Sequence, residues 1–386
     1  MDYQECWNCK SWQNKKDFAN QLPVYKNSEE LNRVKDRIKQ SKPLVSSFEI
    51  DNFKKILVKV SNGDAFVMQG GDCAESFKDF SENNVINTAN TLEEMSKIIN
   101  NHIKKEVITV GRIAGQFAKP RSNQNEIIEN ISLPSYKGDI INRIFFNKES
   151  REPNANLMIQ AYNQSLETIN ILKKHKLNNL YISHEALLLD YEECFVKNNY
   201  LLSTHLPWLG DRTRIANSPH VEFLRGIKNP IGIKCGSTFK EKELLQIIKA
   251  LNSNNEKGKI ILITRFGKDY IKEAFPKLIN TIKSNNLNVI WSCDPMHGNT
   301  KTTALNIKTR YVADILNELE QFFDICKKNS IPAGGIHLEM TGDNVSECVN
   351  EYNDDIDINN YKSLCDPRLN RQQSLNLSSA ILKFMK

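Results

Sequence analysis

From residue 65 onward the chain repeats one pattern: a short apolar, β-prone run that closes on polar or glycine-rich residues, then a longer stretch with helical periodicity. The runs are AFVMQGG (65–71), VITVGRIAG (107–115), NLYISHE (179–185), THLPWLG (204–210), PIGIKCG (230–236), KIILITRFG (259–267), NVIWSCDPMHG (288–298) and AGGIHLEMTG (333–342). Stretches such as EKELLQIIKAL (241–251) and RYVADILNELEQFFDICKK (310–328) fill the gaps. Such alternation belongs to a parallel sheet covered by helices, and eight units favour a closed (β/α)8 TIM barrel in the α/β class over an open sheet. The fourth run carries Pro207, which weakens it as a strand. Residues 1–60 read as an N-terminal extension with amphipathic helices, and 61–386 as the barrel with a C-terminal segment. Ser28 is placed to cap a helix bearing Leu31, Val34 and Ile38 on one face; Ile50, Phe53, Leu57 and Val60 mark a second.

The chemically distinctive residues fall where these runs end. Asp72, Cys73 and Glu75 follow the first, Arg112 ends the second, Asp211 and Arg212 follow the fourth, and Lys234 closes the fifth. Arg265 ends the sixth, His297 follows the seventh and Glu339 ends the eighth. A barrel gathers strand carboxyl ends around one mouth, where barrel active sites are built. Any one charge there has an ordinary reading as a strand boundary. Arg112, Lys234 and Arg265, however, lie inside apolar runs, where an unpaired charge is costly to bury, so the set calls for anions. A second basic cluster, AKPRS (118–122), offers Lys119, Arg121 and the Ser122 hydroxyl for another phosphate. Two anion sites suggest two phosphorylated substrates. Cys73, His297 and Glu339 supply S, N and O donors that suit a borderline divalent ion, although a lone histidine or cysteine is more often structural.

Composition narrows the classes. Among 386 residues the formal charge is +6, with both signs mixed along the chain, which argues against a dedicated nucleic-acid surface. No apolar run approaches the roughly 18 residues that span a bilayer, and the first residues lack the pattern of a secretory signal. Nine scattered cysteines suit a reducing compartment, so a soluble cytoplasmic protein is expected. Cys6 and Cys9 form a C-x-x-C with no second ligand pair nearby, and free thiols are expected there rather than zinc.

FVMQGGDCAESF, VGRIAGQFAKPRS, LPSYKGD, SHEALLLDYE, WLGDRTR, GIKCG, ITRFG, WSCDPMHGNT, GGIHLEMTG and CDPRLNRQQSL follow one another in order. With SW (11–12) and NQLPVY (20–25) ahead of them, they closely resemble the class II, plant-like 3-deoxy-D-arabino-heptulosonate 7-phosphate (DAHP) synthases over nearly the whole chain. The resemblance implies a metal-dependent condensation of phosphoenolpyruvate with erythrose 4-phosphate, the entry step of the shikimate route to aromatic compounds. It implies metal ligands Cys73, His297, Glu339 and Asp366, the last from a segment beyond an acidic, asparagine-rich stretch (350–360) expected to be a surface loop. The ion would be Mn2+ or Co2+, with Zn2+, Fe2+ and Cd2+ also compatible. Arg112, Arg212, Lys234 and Arg265 would hold phosphoenolpyruvate, and Lys119, Pro120, Arg121 and Ser122 erythrose 4-phosphate. Lys234, Asp211 and His297 are the catalytic candidates, in a reaction where the metal polarises the aldehyde, C3 of the enol phosphate attacks, water adds at C2 and phosphate leaves. A homo-oligomer, dimer or larger, is also implied.

The chain departs from the family pattern at several points. The usual W-x-G-E-R-T-R has Asp211 in the glutamate position, which sets an acid about one ångström back. IANSPHVEF and KCGST also differ, around the fourth and fifth strands. The stretch between LPSYKGD and SHEALLLDYE is compact, and weak or absent feedback inhibition is expected. An aminoDAHP synthase of a secondary pathway, and a non-catalytic barrel binding phosphorylated ligands, are the alternatives. Cys365, next to Asp366, is expected close enough to Cys73 for oxidation to link them.

Overall fold

The computed structural model describes residues 6–18, 21–177, 179–352 and 356–385. Each of the eight apolar runs forms one barrel strand: β1 (Ala65–Gly71), β2 (Glu106–Arg112), β3 (Leu180–Glu185), β4 (Leu206–Leu209), β5 (Ile231–Gly236), β6 (Ile260–Arg265), β7 (Ile290–Cys293) and β8 (Ala333–Glu339). Every strand is parallel to the next and β8 pairs with β1, so the ring closes. Register then sets the site: Gly71 lies opposite Arg112 on one side and Glu339 on the other. Pro207 does sit in a barrel strand. It faces His184 of β3, and the ladder from β4 to β5 is only Trp208–Gly232 and Leu209–Ile233, as expected where an N–H is missing.

The barrel's amino-terminal end is plugged from outside the ring. Helix α2 (Ser47–Asn62) presents Phe53, Leu57 and Val60 to Ala65, Val67, Ile108, Val110, Leu206, Ile261, Ile263 and Ile290. That floor closes one end of the barrel, and the opposite, carboxyl-end mouth holds the inner cavity. A capping box of Ser46 with Glu49 starts α2, and Gly63 ends it at φ +87°. Helix α1 (Ser28–Lys39) is capped by Asn27 rather than by the expected Ser28: the Asn27 side chain accepts from Glu30 N at 3.0 Å, and Ser28 is the first helical residue. The N-terminal residues are stitched to the segment after β3. Trp12 donates its indole N–H to Glu193 at 2.9 Å, and the buried Lys35 ammonium bridges Asp190 and Glu193 at 2.8 Å each.

Helices Glu241–Leu251 and Val312–Lys328 stand where periodicity placed them. Among the described residues three short hairpins lie outside the apolar runs: Asn125–Ile128 with Ile131–Pro134, Val196–Lys197 with Tyr200–Leu201, and Lys301–Thr302 with Lys308–Thr309. The first and third rim the mouth. Part of the expected surface loop, residues 353–355, lies outside the described residues; Ile358–Asn360 forms a 3-10 turn with no buried residue. All nine cysteines are free thiols. Among the described residues no helix is long and apolar enough to cross a membrane.

Candidate active site

Three strand ends and one returning segment meet over the barrel mouth. Cys73 follows β1, Glu339 ends β8, and Asp366 comes back from beyond the barrel; their donor atoms all lie within 4.8 Å of one another. Asp366 reaches the mouth because its neighbours are clamped there. Leu369 N donates to Glu339 O at 3.0 Å and Thr341 N to Leu369 O at 2.9 Å. The Arg368 guanidinium holds buried Glu347 at 3.0 and 2.8 Å and Asp72 at 2.5 Å. The Cys73 thiol beside it draws the Cys365 thiol down to about 7 against burial.

His297 completes the donor set. Its Nδ1 lies 2.7 Å from Asp294 Oδ2, and its Nε2 lies 3.1 Å from Glu339 Oε1. With Asp294 accepting the Nδ1 proton, Nε2 and the carboxylate oxygen both present lone pairs, an arrangement that needs a proton or a metal ion between them. Glu339, fully buried, also accepts from Arg112 at 3.1 Å and from Arg310 at 2.7 Å. Burial would raise its carboxyl, but His297, Arg310 and Arg112 hold it well below the usual range. Thiol, imidazole and two carboxylates in one place form a donor set that fits a divalent ion. The ammonium of Lys119 meets the same set, 2.6 Å from Cys73 Sγ and in contact with Asp366, so a cation is accommodated there.

The cations converge as the strand ends suggested. Arg112, Arg212, Lys234 and Arg265 line one small inner cavity with Trp208, Glu185 and Asp211. Arg112 is oriented from inside the barrel: Nη1 donates to His337 Nε2 at 3.0 Å, and His337 Nδ1 faces Gln69 Oε1 at 2.8 Å. The chain continues through Gln69 to Ser183 at 2.9 Å. Burial, with Lys234 and Arg112 nearby, keeps His337 well below the ordinary imidazole range, hence neutral and able to accept. Buried Arg112 Nε and Arg265 Nε find no acceptor among the described residues, which suits an anionic ligand. Lys234 contacts Asp294, and burial pushes its amine down to about 8 although Asp294 pulls it up.

Lys119, Pro120, Arg121 and Ser122 line a larger outer cavity of about 750 Å³, rimmed by Ile127, Ile128 and Lys308. Arg212 reaches into it and donates to Ser122 Oγ at 2.7 Å, so it stands between the two anion sites. Gly138 of LPSYKGD, at φ +105°, shapes this wall: a Cβ there would sit 2.0 Å from Phe117 O.

Asp211 is more engaged than a free acid. It accepts from Arg214 at 2.9 Å, Gly236 N at 3.1 Å and Arg265 at 3.1 Å. Burial raises it, yet Arg214 and Arg265 keep its carboxyl below the usual range. Glu185, at the end of β3, was not among the sequence candidates. Its Oε1 is buried without a partner among the described residues, and burial pushes it up to about 7 against Lys234, Arg212, Arg112 and Lys119. Asp294 and Arg310 also lacked an assigned role. The strand-end rule that selected Arg112 would have found Glu185 and Asp294; Arg310 heads a helix and carries no such signal.

The sequence profile of the Class-II DAHP synthetase family matches residues 7–179 and 173–382. A phospho-2-dehydro-3-deoxyheptonate aldolase of Streptomyces coelicolor is 34% identical over 430 residues, covering 95% of each chain. One from Neurospora crassa is 34% identical over 450 residues, covering 96% of this chain and 93% of that one. Among solved structures, a phospho-2-dehydro-3-deoxyheptonate aldolase from Francisella tularensis superposes with a TM-score of 0.55 at 16% identity, covering 91% of this chain and 96% of that one, a likeness of fold.

Proposed function

The chain belongs to the class-II DAHP synthetase family, and from that premise we propose that its barrel mouth condenses phosphoenolpyruvate with erythrose 4-phosphate to give DAHP and phosphate. The observation that carries the reading is the meeting of the Cys73, Glu339 and Asp366 donors, with His297 Nε2 3.1 Å from Glu339, and two cationic cavities at one mouth.

Arg112, Lys234 and Arg265 hold the phosphate and carboxylate of the enol phosphate, with Trp208 beneath the Arg112 guanidinium at 5.3 Å. Lys119, Pro120, Arg121 and Ser122 receive the aldose phosphate, and Arg212 serves both anions. Cys73, His297, Glu339 and Asp366 hold a divalent ion, which when bound supplies Lewis-acid polarisation of the aldehyde oxygen. Mixed S/N/O donors accept several divalent ions, and Mn2+ or Co2+ is the choice that the family resemblance implies. The new bond joins C3 of the enol phosphate to the aldehyde carbon. Lys234 delivers the proton that turns the aldehyde oxygen into a hydroxyl, and Asp294 beside it holds the amine in place. Water adds at C2, one proton passing to the free oxygen of Glu185; the C2–O bond to the phosphate then breaks, and the new C2 hydroxyl becomes the keto oxygen as its proton leaves with the phosphate. Asp211, bound by two arginines, acts by positioning Arg265. The free thiols support a cytoplasmic setting, and a dimer or larger assembly belongs to the same reading.

Mass spectrometry of the product tests it. Phosphoenolpyruvate, erythrose 4-phosphate and Mn2+ should yield DAHP, and a chelator or Cys73→Ser should abolish it. Phosphoenolpyruvate left unconsumed with metal present would overturn the reading.

A further inference from the structure

Lys119 gives its one ammonium to a pair of proposed metal ligands and also borders the cavity proposed for a phosphate. In this structure its Nζ lies 2.6 Å from Cys73 Sγ and contacts Asp366 Oδ2, two of the four proposed metal ligands. Yet Lys119 also lines the outer cavity with Arg121, Ser122 and Arg212, where the aldose phosphate is proposed to bind. The other oxygen of Asp366 is taken by Lys308 at 2.9 Å, so this carboxylate is bracketed by lysines on both sides. A divalent ion and the Lys119 ammonium cannot use the same sulfur and oxygen together.

The backbone at this point is fixed. Lys119 N donates to Lys137 O at 2.9 Å, and Gly138 next to it packs so closely on Phe117 that a Cβ there would sit 2.0 Å from Phe117 O. Any exchange between the two anion sets is therefore a rotation of the four-carbon side chain, which is long and flexible enough for it.

We propose that Lys119 is an internal competitor for the metal ligands that couples the two binding events. Metal binding expels the ammonium from Cys73 and Asp366 and turns it toward the outer cavity, where it meets the phosphate of the aldose. Conversely, a phosphate monoester in the outer cavity draws Lys119 away and uncovers the ligands. Linkage requires both effects to be equal in size. The proposal rests on the metal-site reading given above and adds a reciprocal coupling to it: each binding event prepares the site of the other.

The test measures Co2+ affinity on the full chain by calorimetry and by the thiolate-to-cobalt absorption band, with and without glycerol 3-phosphate, a monoester lacking a carbonyl. In the native protein the monoester should tighten Co2+ on the order of tenfold, within the usual range of coupling between sites. Lys119→Met should bind Co2+ tighter than the native protein by a similar factor, and the monoester should add little. Equal Co2+ affinity in both proteins, with the monoester without effect on the native one, would overturn the proposal while leaving the metal site standing. Absence of any thiolate band in the native protein would remove the metal site and the proposal with it. Should Lys119→Met fail to fold, the native titrations alone decide the matter.

Discussion

Asp294 Oδ2 lies 2.7 Å from His297 Nδ1, and the same oxygen meets the Lys234 ammonium. One carboxylate thus orients a proposed metal ligand and a proposed proton donor. Its other oxygen accepts from Met296 N at 3.0 Å, which locks the turn that follows β7. Burial works against the charge, but His297 and Lys234 hold Asp294 well below the carboxylate range. Asp294→Asn keeps the shape and removes the charge. Metal affinity should fall by roughly 10- to 100-fold, the usual effect of losing a partner behind a ligand. A Co2+ titration checks this, and an unchanged affinity would deny Asp294 the orienting role.

Lys234 sets a limit on the alkaline side. Burial brings its amine down from the ordinary lysine range to about 8, so below that pH it carries a proton and above it does not. If that proton goes to the aldehyde oxygen, kcat should decline as pH rises through about 8. Lys234→Arg keeps the charge at all working pH values and should lower kcat by about 100-fold or more while erasing this alkaline limb. A pH profile in which the limb survives the substitution would place its origin elsewhere.

Asp211 is expected to act on substrate affinity. Its carboxylate holds Arg265 at 3.1 Å and Arg214 at 2.9 Å, and Arg265 is one of the cations facing the inner cavity. Asp211→Asn loses two charge-assisted bonds, each worth about 1.5–3 kcal/mol. The KM for phosphoenolpyruvate should rise about tenfold or more, with a smaller change in kcat. A loss confined to kcat would instead make Asp211 a participant in the chemistry.

What the sequence disclosed followed physical range. The barrel strands were legible because each is a local apolar run with its own boundary, and the residues at strand ends inherit their place from closure of the ring. Asn27 displaced Ser28 as a cap because either side chain can accept from the first turn, and one residue of register decides between them. The hairpins escaped notice because two to four residues are too few to show a period. Spacing alone gave no reason to carry Asp366 back to the mouth. That depends on a clamp between Arg368 and Glu347 and on a backbone bridge from Met340 to Leu369, both tertiary. The competition of Lys119 for Cys73 likewise belongs to the folded chain alone.

Glu185 can be tested without touching it. Gly210, just beyond β4, passes so close that a Cβ there would lie 1.9 Å from Glu185 Oε1 and 2.8 Å from its carboxyl carbon. The backbone of Gly210 is not in the left-handed region, so alanine is acceptable to the main chain and the collision falls on the Glu185 side chain. Glu185 N is held by Gln116 Oε1 at 2.8 Å, which leaves the carboxyl as the part that moves. Gly210→Ala should therefore push the acid out of line with C2 of the enol phosphate and lower kcat on the order of a hundredfold, as misplacement by about an ångström does. Glu185→Gln should lose a comparable amount, and the double variant little more than either, because both act on one group. Additive losses in the double variant, or full activity in Gly210→Ala, would show that the water finds its base elsewhere.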